Sequence, residues 1–306
     1  KECSMKKIEN PYKRQLLNKI KNKTAVLGVI GLGYVGLPLA VEKAKAGYKT
    51  VGFDIQEKKV QWVNEGHNYI NDIEDSDLEE MVKEGKLKAT SDYSFINDID
   101  VVCICVPTPL DIHQQPDLSY IKKSIESITK FLHQGMLIIL ESTTYPGTTE
   151  EIVKPIFEKK SGLKCGQDFF LAFSPERIDP GNPWYKVRNT SKIVGGETQD
   201  CTEVAVYLYE HILKSKIYPV SSSKIAEMTK VYENTFRYIN IALANEMAIL
   251  CHKMGIDFWE VIEAAKTKPY GFIPFYPGPG VGGHCIPLDP FYLTWKAREY
   301  NHHTRL

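Results

Sequence analysis

Residues 24–54, TAVLGVIGLGYVGLPLAVEKAKAGYKTVGFD, constrain the fold more than any other part of this chain. TAVLGVIGLG reads as a buried strand running into a glycine turn. YVGLPLAVEKAKA, residues 34–46, reads as a helix ending near Gly47, and YKTVGFD as a second strand ending at Asp54. The alternation continues. Residues 56–65 suggest a helix, DVVCICVPTP is an apolar run halted by prolines, and SYIKKSIESITKFL has helical spacing. MLIILESTTYPGT repeats the strand-then-polar-loop pattern, TTEEIVKPIFEKK follows as a helix, and FFLAFSPER and SKIVGG supply two more strands. This order predicts a doubly wound α/β sheet over roughly residues 24–218.

The turn itself carries chemistry. In GLGYVG, Gly31 permits the tight turn, Gly33 lets backbone approach a pyrophosphate, and Gly36 allows close helix–strand packing. The helix start offers free N–H groups to phosphate. Asp54, 23 positions after Gly31, is placed to accept hydrogen bonds from an adenosine ribose and to repel a 2′-phosphate, favouring NAD over NADP. A purely structural glycine turn with Asp54 as a helix cap, or a flavin or plain nucleotide site, are the alternatives at this point.

The 306 residues are 43% hydrophobic and 25% charged, enough for two or three domains. The 38 basic and 38 acidic side chains cancel, so charge favours neither nucleic acid nor an anionic membrane. No run approaches the roughly 20 apolar residues of a membrane helix. Seven cysteines form no CxxC pair, so no metal site is expected. An odd count without a signal peptide fits a reducing, cytoplasmic setting. Cys103 and Cys105 alternate within VVCICV and are expected to act as small buried hydrophobes. Residues 1–23, with eight basic and two acidic side chains, are expected to form a partly helical arm or a floppy terminus, a partner-binding segment being the less favoured reading.

Beyond residue 218 the pattern changes. Ser223 to Met254 reads as one long helix, apolar on more than one side and suited to bridging domains or subunits. On it Lys230 and Asn234 lie one turn apart, so an ammonium and an amide share a face and can stabilise an oxyanion; a solvated helix face is the bland alternative. Pro269–Pro290 is rich in glycine, proline and aromatics and contains GGHCIPLDP. There Cys285 follows Gly282, Gly283 and His284, where flexible backbone admits a ligand. A thiolate at that point can add to an aldehyde, or the side chain simply packs. Asp289 can accept a proton or cap a turn, and His284 need not face the neighbouring thiol. Thr143 and Glu176, in loops after apolar runs, can hold a water or act as turn residues.

The stretches GLGYVGLPLA, VCICVPTPLD, ESTTYPGTT, SPERIDPG, EMTKVYENTFRYINIALANE and GPGVGGHCIPLDPFYLTWKARE resemble the UDP-glucose/GDP-mannose dehydrogenase family, the nucleotide-sugar 6-dehydrogenases, over residues 24–300. TPLDIHQQPDLSY and FIPFYPGPGVGGHCIPLDPFYLTWKARE are similar to the branch acting on UDP-N-acetyl-D-glucosamine. AAKTKPYGFIPFY, with Lys268, lacks the substrate arginine expected of UDP-glucose enzymes.

The resemblance implies an N-terminal arm (1–23) and a Rossmann-like NAD-binding domain (24–218). It then implies a mainly helical central region (219–306) carrying the catalytic cysteine and a homodimer contact through helix 223–254, with a third family domain absent from this chain. It implies Cys285 as nucleophile, Lys230 and Asn234 as oxyanion donors, Asp289 as a proton aid, and Thr143 and Glu176 as the water-handling pair. NAD would meet Gly31, Gly33, Tyr34, Val35, Gly36, Asp54, Lys59, Pro107, Thr108 and Thr143. The UDP-sugar would meet Phe173, Glu176, Arg177, Lys230, Asn234, Phe272, Phe275, Tyr276 and Gly282. The implied reaction is four-electron oxidation of a C6 hydroxyl to a carboxylate through a thiohemiacetal and a thioester. Rivals are UDP-glucose or another UDP-N-acetylhexosamine as substrate, and a catalytically weak NAD-binding scaffold.

Overall fold

A computed structural model describes residues 10–178, 181–182, 184–283 and 286–304. The chain divides into two compact units, residues 1–108 with 117–227, and residues 109–116 with 228–306.

The first unit runs α1 (Pro11–Lys21), β1 (Val26–Ile30), α2 (Gly36–Lys45), β2 (Lys49–Phe53), α3 (Glu57–Asn64), α4 (Asp75–Lys83), β3 (Leu87–Thr90), β4 (Val101–Ile104), α5 (Ser119–Thr129), β5 (Leu137–Leu140), α6 (Lys154–Ser161), β6 (Phe170–Phe173), β7 (Lys192–Gly196), α7 (Gln199–Ile212) and β8 (Ile217–Val220). The eight strands form one sheet in the order β3-β2-β1-β4-β5-β6-β7-β8. All neighbours are parallel except β6 and β7. The first six strands thus have the doubly wound order whose direction reverses between β1 and β4, where such sheets bind ligands.

β4 and β5 are fully buried, as an apolar strand covered by helices on both faces must be. Cys103 and Cys105 lie in this core, and burial pushes the Cys103 thiol up to about 11, so both serve as small neutral packing groups.

The amino-terminal arm is a helix from Pro11, with Asn10 accepting from the N–H groups of Tyr12 and Lys13. Leu16 and Ile20, one turn apart, bury against the sheet unit, worth about 1.5–3 kcal/mol each. Lys13 bonds to Asp200 (2.8 Å) and Glu203 of α7. Of the two expected forms, a partly helical arm and a floppy terminus, the described residues take the first, and a basic side chain of the arm supplies these ties. β3, α4, α7 and β8, short or weakly patterned in sequence, complete the sheet and its cover.

The helix α8 (Ser223–Met254) has the bounds its periodicity implies. In the second unit it is followed by α9 (Phe258–Ala265) and α10 (Asp289–Ala297), with an aromatic, glycine-rich segment between them.

Candidate active site

The fingerprint glycines occupy three different environments. A Cβ on Gly36 would stand 1.8 Å from the Gly31 carbonyl oxygen, so the start of α2 closes directly on the turn. Gly31 has φ +90°, and a Cβ there would meet the Cys105 carbonyl oxygen at 2.6 Å, which brings the exits of β1 and β4 together. Around Gly33 nothing lies within 4 Å of an added Cβ. The turn is therefore packed on two sides and open at the one glycine whose backbone should face a pyrophosphate.

Asp54 follows β2 and is buried. Its Oδ2 accepts from the Leu32 N–H inside the fingerprint (2.9 Å) and its Oδ1 from the Gln56 N–H (2.9 Å), with the Lys59 Nζ 3.7 Å away. The Tyr69 hydroxyl donates to the Leu32 carbonyl (2.7 Å), pinning the turn from its other side. Tyr34 is exposed and Val35 half-buried.

Pro107 and Thr108 lie in the loop after β4. The Ser142 hydroxyl donates to the Val106 carbonyl (2.8 Å), tying that loop to the exit of β5. Thr143 is half-buried between anchored neighbours, since the Thr144 hydroxyl is 2.6 Å from that of Thr148.

Glu176 lies just past β6. Its Oε1 accepts from the N–H groups of Arg177 (2.7 Å) and Ile178 (3.0 Å), and its Oε2 faces the Lys192 Nζ at 3.3 Å. The Arg177 guanidinium donates to the carbonyl (3.1 Å) and hydroxyl (3.3 Å) of Ser191. One sequence expectation needs correction: Phe173 is a fully buried β6 residue paired opposite Gly195, so its ring is core and offers no surface to a sugar nucleotide.

Behind Glu176 runs a charged chain that sequence reading did not single out. The Lys192 Nζ is 2.7 Å from Glu141, and the Tyr209 hydroxyl donates to Glu141 at 2.6 Å. Burial works against the charge on both partners. Their mutual attraction wins, holding the Lys192 ammonium above and the Glu141 carboxyl below their usual ranges. Lys43 of α2 is also fully buried, its Nζ 5.3 Å over the Tyr209 ring. The available signal was a carboxylate closing the apolar run LIIL and a lysine opening the apolar run KIVGG.

Glu227, near the start of α8, belongs to the first unit. It accepts from the N–H groups of Gly147 (2.5 Å) and Thr149 (2.8 Å) and from the Thr149 hydroxyl (2.7 Å). Burial outweighs these donors and pushes its carboxyl up to about 7.

In the second unit one contact joins Asn234 to Asp289. Lys230 and Asn234 share a face of α8, and the Asn234 amide donates to the Asp289 carboxylate at the start of α10. Lys230 and Asp289 are buried. Cys285 and His284 lie outside the described residues. The preceding segment is anchored by Asn245, another residue the sequence did not flag. Its amide donates to the Gly280 carbonyl (3.0 Å) and accepts from the Gly278 N–H (2.8 Å). Phe275 packs edge-on to Phe236 of α8 at 5.9 Å, Tyr276 stacks on Trp259, and Phe272 is exposed. Gly282 is exposed with φ +69°. A cavity of about 320 Å³ in this unit, lined by His113, Trp295, Arg298 and His302 among others, includes none of the expected site residues.

Residues 25–213 match the NAD binding domain of the UDP-glucose/GDP-mannose dehydrogenase family, and residues 224–306 match its central domain. The chain belongs to this family. Within it, the chain is 44% identical over 284 residues to the UDP-N-acetyl-D-glucosamine 6-dehydrogenase of Pseudomonas aeruginosa, covering 93% of this chain and 66% of that protein. It is 42% identical over 274 residues to the UDP-N-acetyl-D-mannosamine dehydrogenase of Pyrococcus horikoshii, covering 89% and 65%. The solved structure of a Pyrococcus horikoshii UDP-D-ManNAc dehydrogenase superposes with a TM-score of 0.85 at 41% identity, covering 89% of this chain and 65% of that one. The chain thus spans a little under two thirds of the lengths of these relatives. As a member of the UDP-glucose/GDP-mannose dehydrogenase family it carries an NAD-binding domain, and the open face at Gly33 beside Asp54 fits that cofactor. Among the described residues no helix is long and apolar enough to cross a membrane.

Proposed function

We propose that this chain is the NAD-binding and central part of a nucleotide-sugar 6-dehydrogenase that oxidises the C6 hydroxyl of UDP-N-acetyl-D-glucosamine to the carboxylate. The observation that carries this reading is the Asn234–Asp289 hydrogen bond. It ties the α8 face carrying Lys230 and Asn234 to Asp289, four residues after Cys285 in sequence, which supports a shared site for amide, ammonium, carboxylate and thiol.

NAD, when bound at the fingerprint, accepts a hydride in each of two oxidations. The protein's own groups do the rest. An enzyme base, assisted by Asp289, takes the C6 hydroxyl proton, and Lys230 and Asn234 donate to the C6 oxygen as negative charge develops on it. The Cys285 thiolate adds to the aldehyde carbon to give a thiohemiacetal, and the second oxidation leaves a thioester. Glu176 takes a proton from a water held with Thr143. That water adds to the thioester carbonyl and expels the Cys285 thiolate, leaving the 6-carboxylate. Arg177, Phe272, Phe275, Tyr276 and Gly282 are proposed to border the sugar nucleotide. Tyr232, Phe236, Ile239 and Leu243 are exposed at three- and four-residue steps along α8, which supports a homodimer packed on this helix.

The acetamido assignment rests on the aromatic stretch Lys268–Pro279 and on the relatives' substrates. A second reading, the C2 epimer UDP-N-acetyl-D-mannosamine, is favoured by the likeness to the Pyrococcus enzyme. The test is kcat/KM of the full-length gene product for both acetamido sugars and UDP-glucose at saturating NAD. The reading expects UDP-N-acetyl-D-glucosamine to lead. A methyl-sized contact is worth about 1–3 kcal/mol, so UDP-glucose should retain some turnover. A preference for UDP-glucose would reject the acetamido assignment.

A further inference from the structure

We propose that Lys192 is a positioning residue that fixes the Glu176 carboxylate for the hydrolytic step, through a buried ion chain anchored on Glu141. This rests on the water-handling reading of Glu176 above.

The sheet geometry sets up the contact. β6 and β7 are the one antiparallel pair, with Phe173 opposite Gly195. Three residues beyond Phe173 is Glu176, and three before Gly195 is Lys192, so the continued register sets Glu176 against Lys192 and Arg177 against Ser191. Both pairs form, at 3.3 Å for Lys192–Glu176 and 3.1 Å from the Arg177 guanidinium to the Ser191 carbonyl. Lys192, the first residue of β7, and Ser191 just before it therefore hold two consecutive residues of the loop.

The chain also runs outward. Side-chain exposure rises from 0% at Glu141 through 4% at Lys192 to 10% at Glu176, so the ammonium links a fixed core carboxylate to one near the surface. Glu141 is itself fixed by Tyr209. A lysine serving only to neutralise Glu141 would need no second carboxylate. Here Oε2 of Glu176 takes the ammonium while Oε1 takes two backbone N–H groups, which together set the rotation of the carboxylate plane. A base displaced by about 1 Å loses roughly 10² in rate.

The test is a double-mutant cycle in the full-length gene product. Uronate turnover is followed across pH for wild type, Lys192→Gln, Lys192→Arg, Glu176→Gln and the Lys192→Gln/Glu176→Gln pair. Lys192→Gln should lower kcat by about 10–10²-fold with NAD binding unchanged and should displace the acidic limb of the pH profile. Lys192→Arg should recover to within about five-fold of wild type. In the Glu176→Gln background, Lys192→Gln should cost less than about two-fold, because the group it positions is gone. Equal penalties in both backgrounds would make Lys192 structural and overturn the proposal alone. Turnover left unchanged by Glu176→Gln would sink the water-handling reading and the proposal with it. Should Lys192→Gln not fold, Glu141→Gln/Lys192→Met removes both buried charges and takes its place in the cycle, with the same two outcomes.

Discussion

The cofactor turn and the cysteine segment are both glycine-rich, but Gly31 and Gly36 of the one differ from Gly282 of the other. In the first unit Gly31 and Gly36 exist because backbone presses on them, at 2.6 Å and 1.8 Å from where a Cβ would sit. In the second unit Gly282 has nothing within 4 Å, and both Gly282 and Gly283 have positive φ. The first loop is rigid by contact, with Asp54 and Tyr69 holding Leu32 from two sides. The second is held at its approach by Asn245 and beyond the cysteine by Asn234 on Asp289. Under the proposed reaction, a cofactor bound twice per turnover would be served by a preformed cradle, and a centre that takes a sugar and releases an acid by a segment tethered on either side of the cysteine.

Substitutions can break or sharpen this contrast. The largest effect is expected at Lys230. Lys230→Ala should lose about 10²–10³ in turnover while the melting temperature barely moves, as for removal of one oxyanion donor. Unchanged turnover would reduce Lys230 to a buried helix residue. Next come the two fingerprint glycines, which should separate cleanly. Gly33→Ala should fold normally yet weaken NAD binding by about 10–10²-fold, because the new methyl occupies the space phosphate needs. Gly36→Ala should cost about 1–3 kcal/mol of stability or more, because its methyl meets backbone. Calorimetry with NAD titration reads both, and equal behaviour of the pair would erase the distinction drawn above.

How much of this was open to sequence reading follows from how each region is built. β1, the turn, α2, β2 and Asp54 are consecutive, so local periodicity and glycine spacing expose them together. The helix α8 is legible for the same reason: its 32 residues run without a breaker. The ion chain is not, because Glu141, Glu176, Lys192 and Tyr209 meet only when β5, β6, β7 and α7 assemble. Phe173 was assigned to the sugar nucleotide through the family resemblance, although FFLAFSPER reads as a strand, and burial and sheet register place its ring in the core. The arm was expected to be partly helical or floppy; its described part is the helix α1, and what charge hid was that Leu16 and Ile20 are core residues.

A smaller effect is expected at Asp54. Asp54→Ser should relax the preference for NAD over NADP by about ten-fold, one lost charge repulsion, measured as the ratio of kcat/KM values. It should also loosen the turn, since the Leu32 N–H loses its partner. Smallest in its effect on activity is a pH dependence of stability at Glu227. Its folded value, about 7, lies above the usual carboxylate value, so the protonated form is the one the fold favours. Its stabilisation is complete below about pH 4 and is lost as pH rises through 7, on the order of 1–3 kcal/mol. Glu227→Gln should flatten the decline of melting temperature between pH 5 and 8, and an unchanged slope would remove Glu227 as its source.

The central claim, covalent four-electron oxidation at Cys285, is tested most directly by the electron count. The full-length gene product is given UDP-N-acetyl-D-glucosamine and excess NAD, NADH is counted per uronate formed, and the protein is weighed by mass spectrometry in wild-type, Glu176→Gln and Cys285→Ser forms. The account predicts two NADH per carboxylate, a sugar-nucleotide adduct accumulating on Cys285 in Glu176→Gln, and neither adduct nor carboxylate from Cys285→Ser. One NADH per sugar with free aldehyde released by the wild type, or uronate formed at the normal rate by Cys285→Ser, would contradict it.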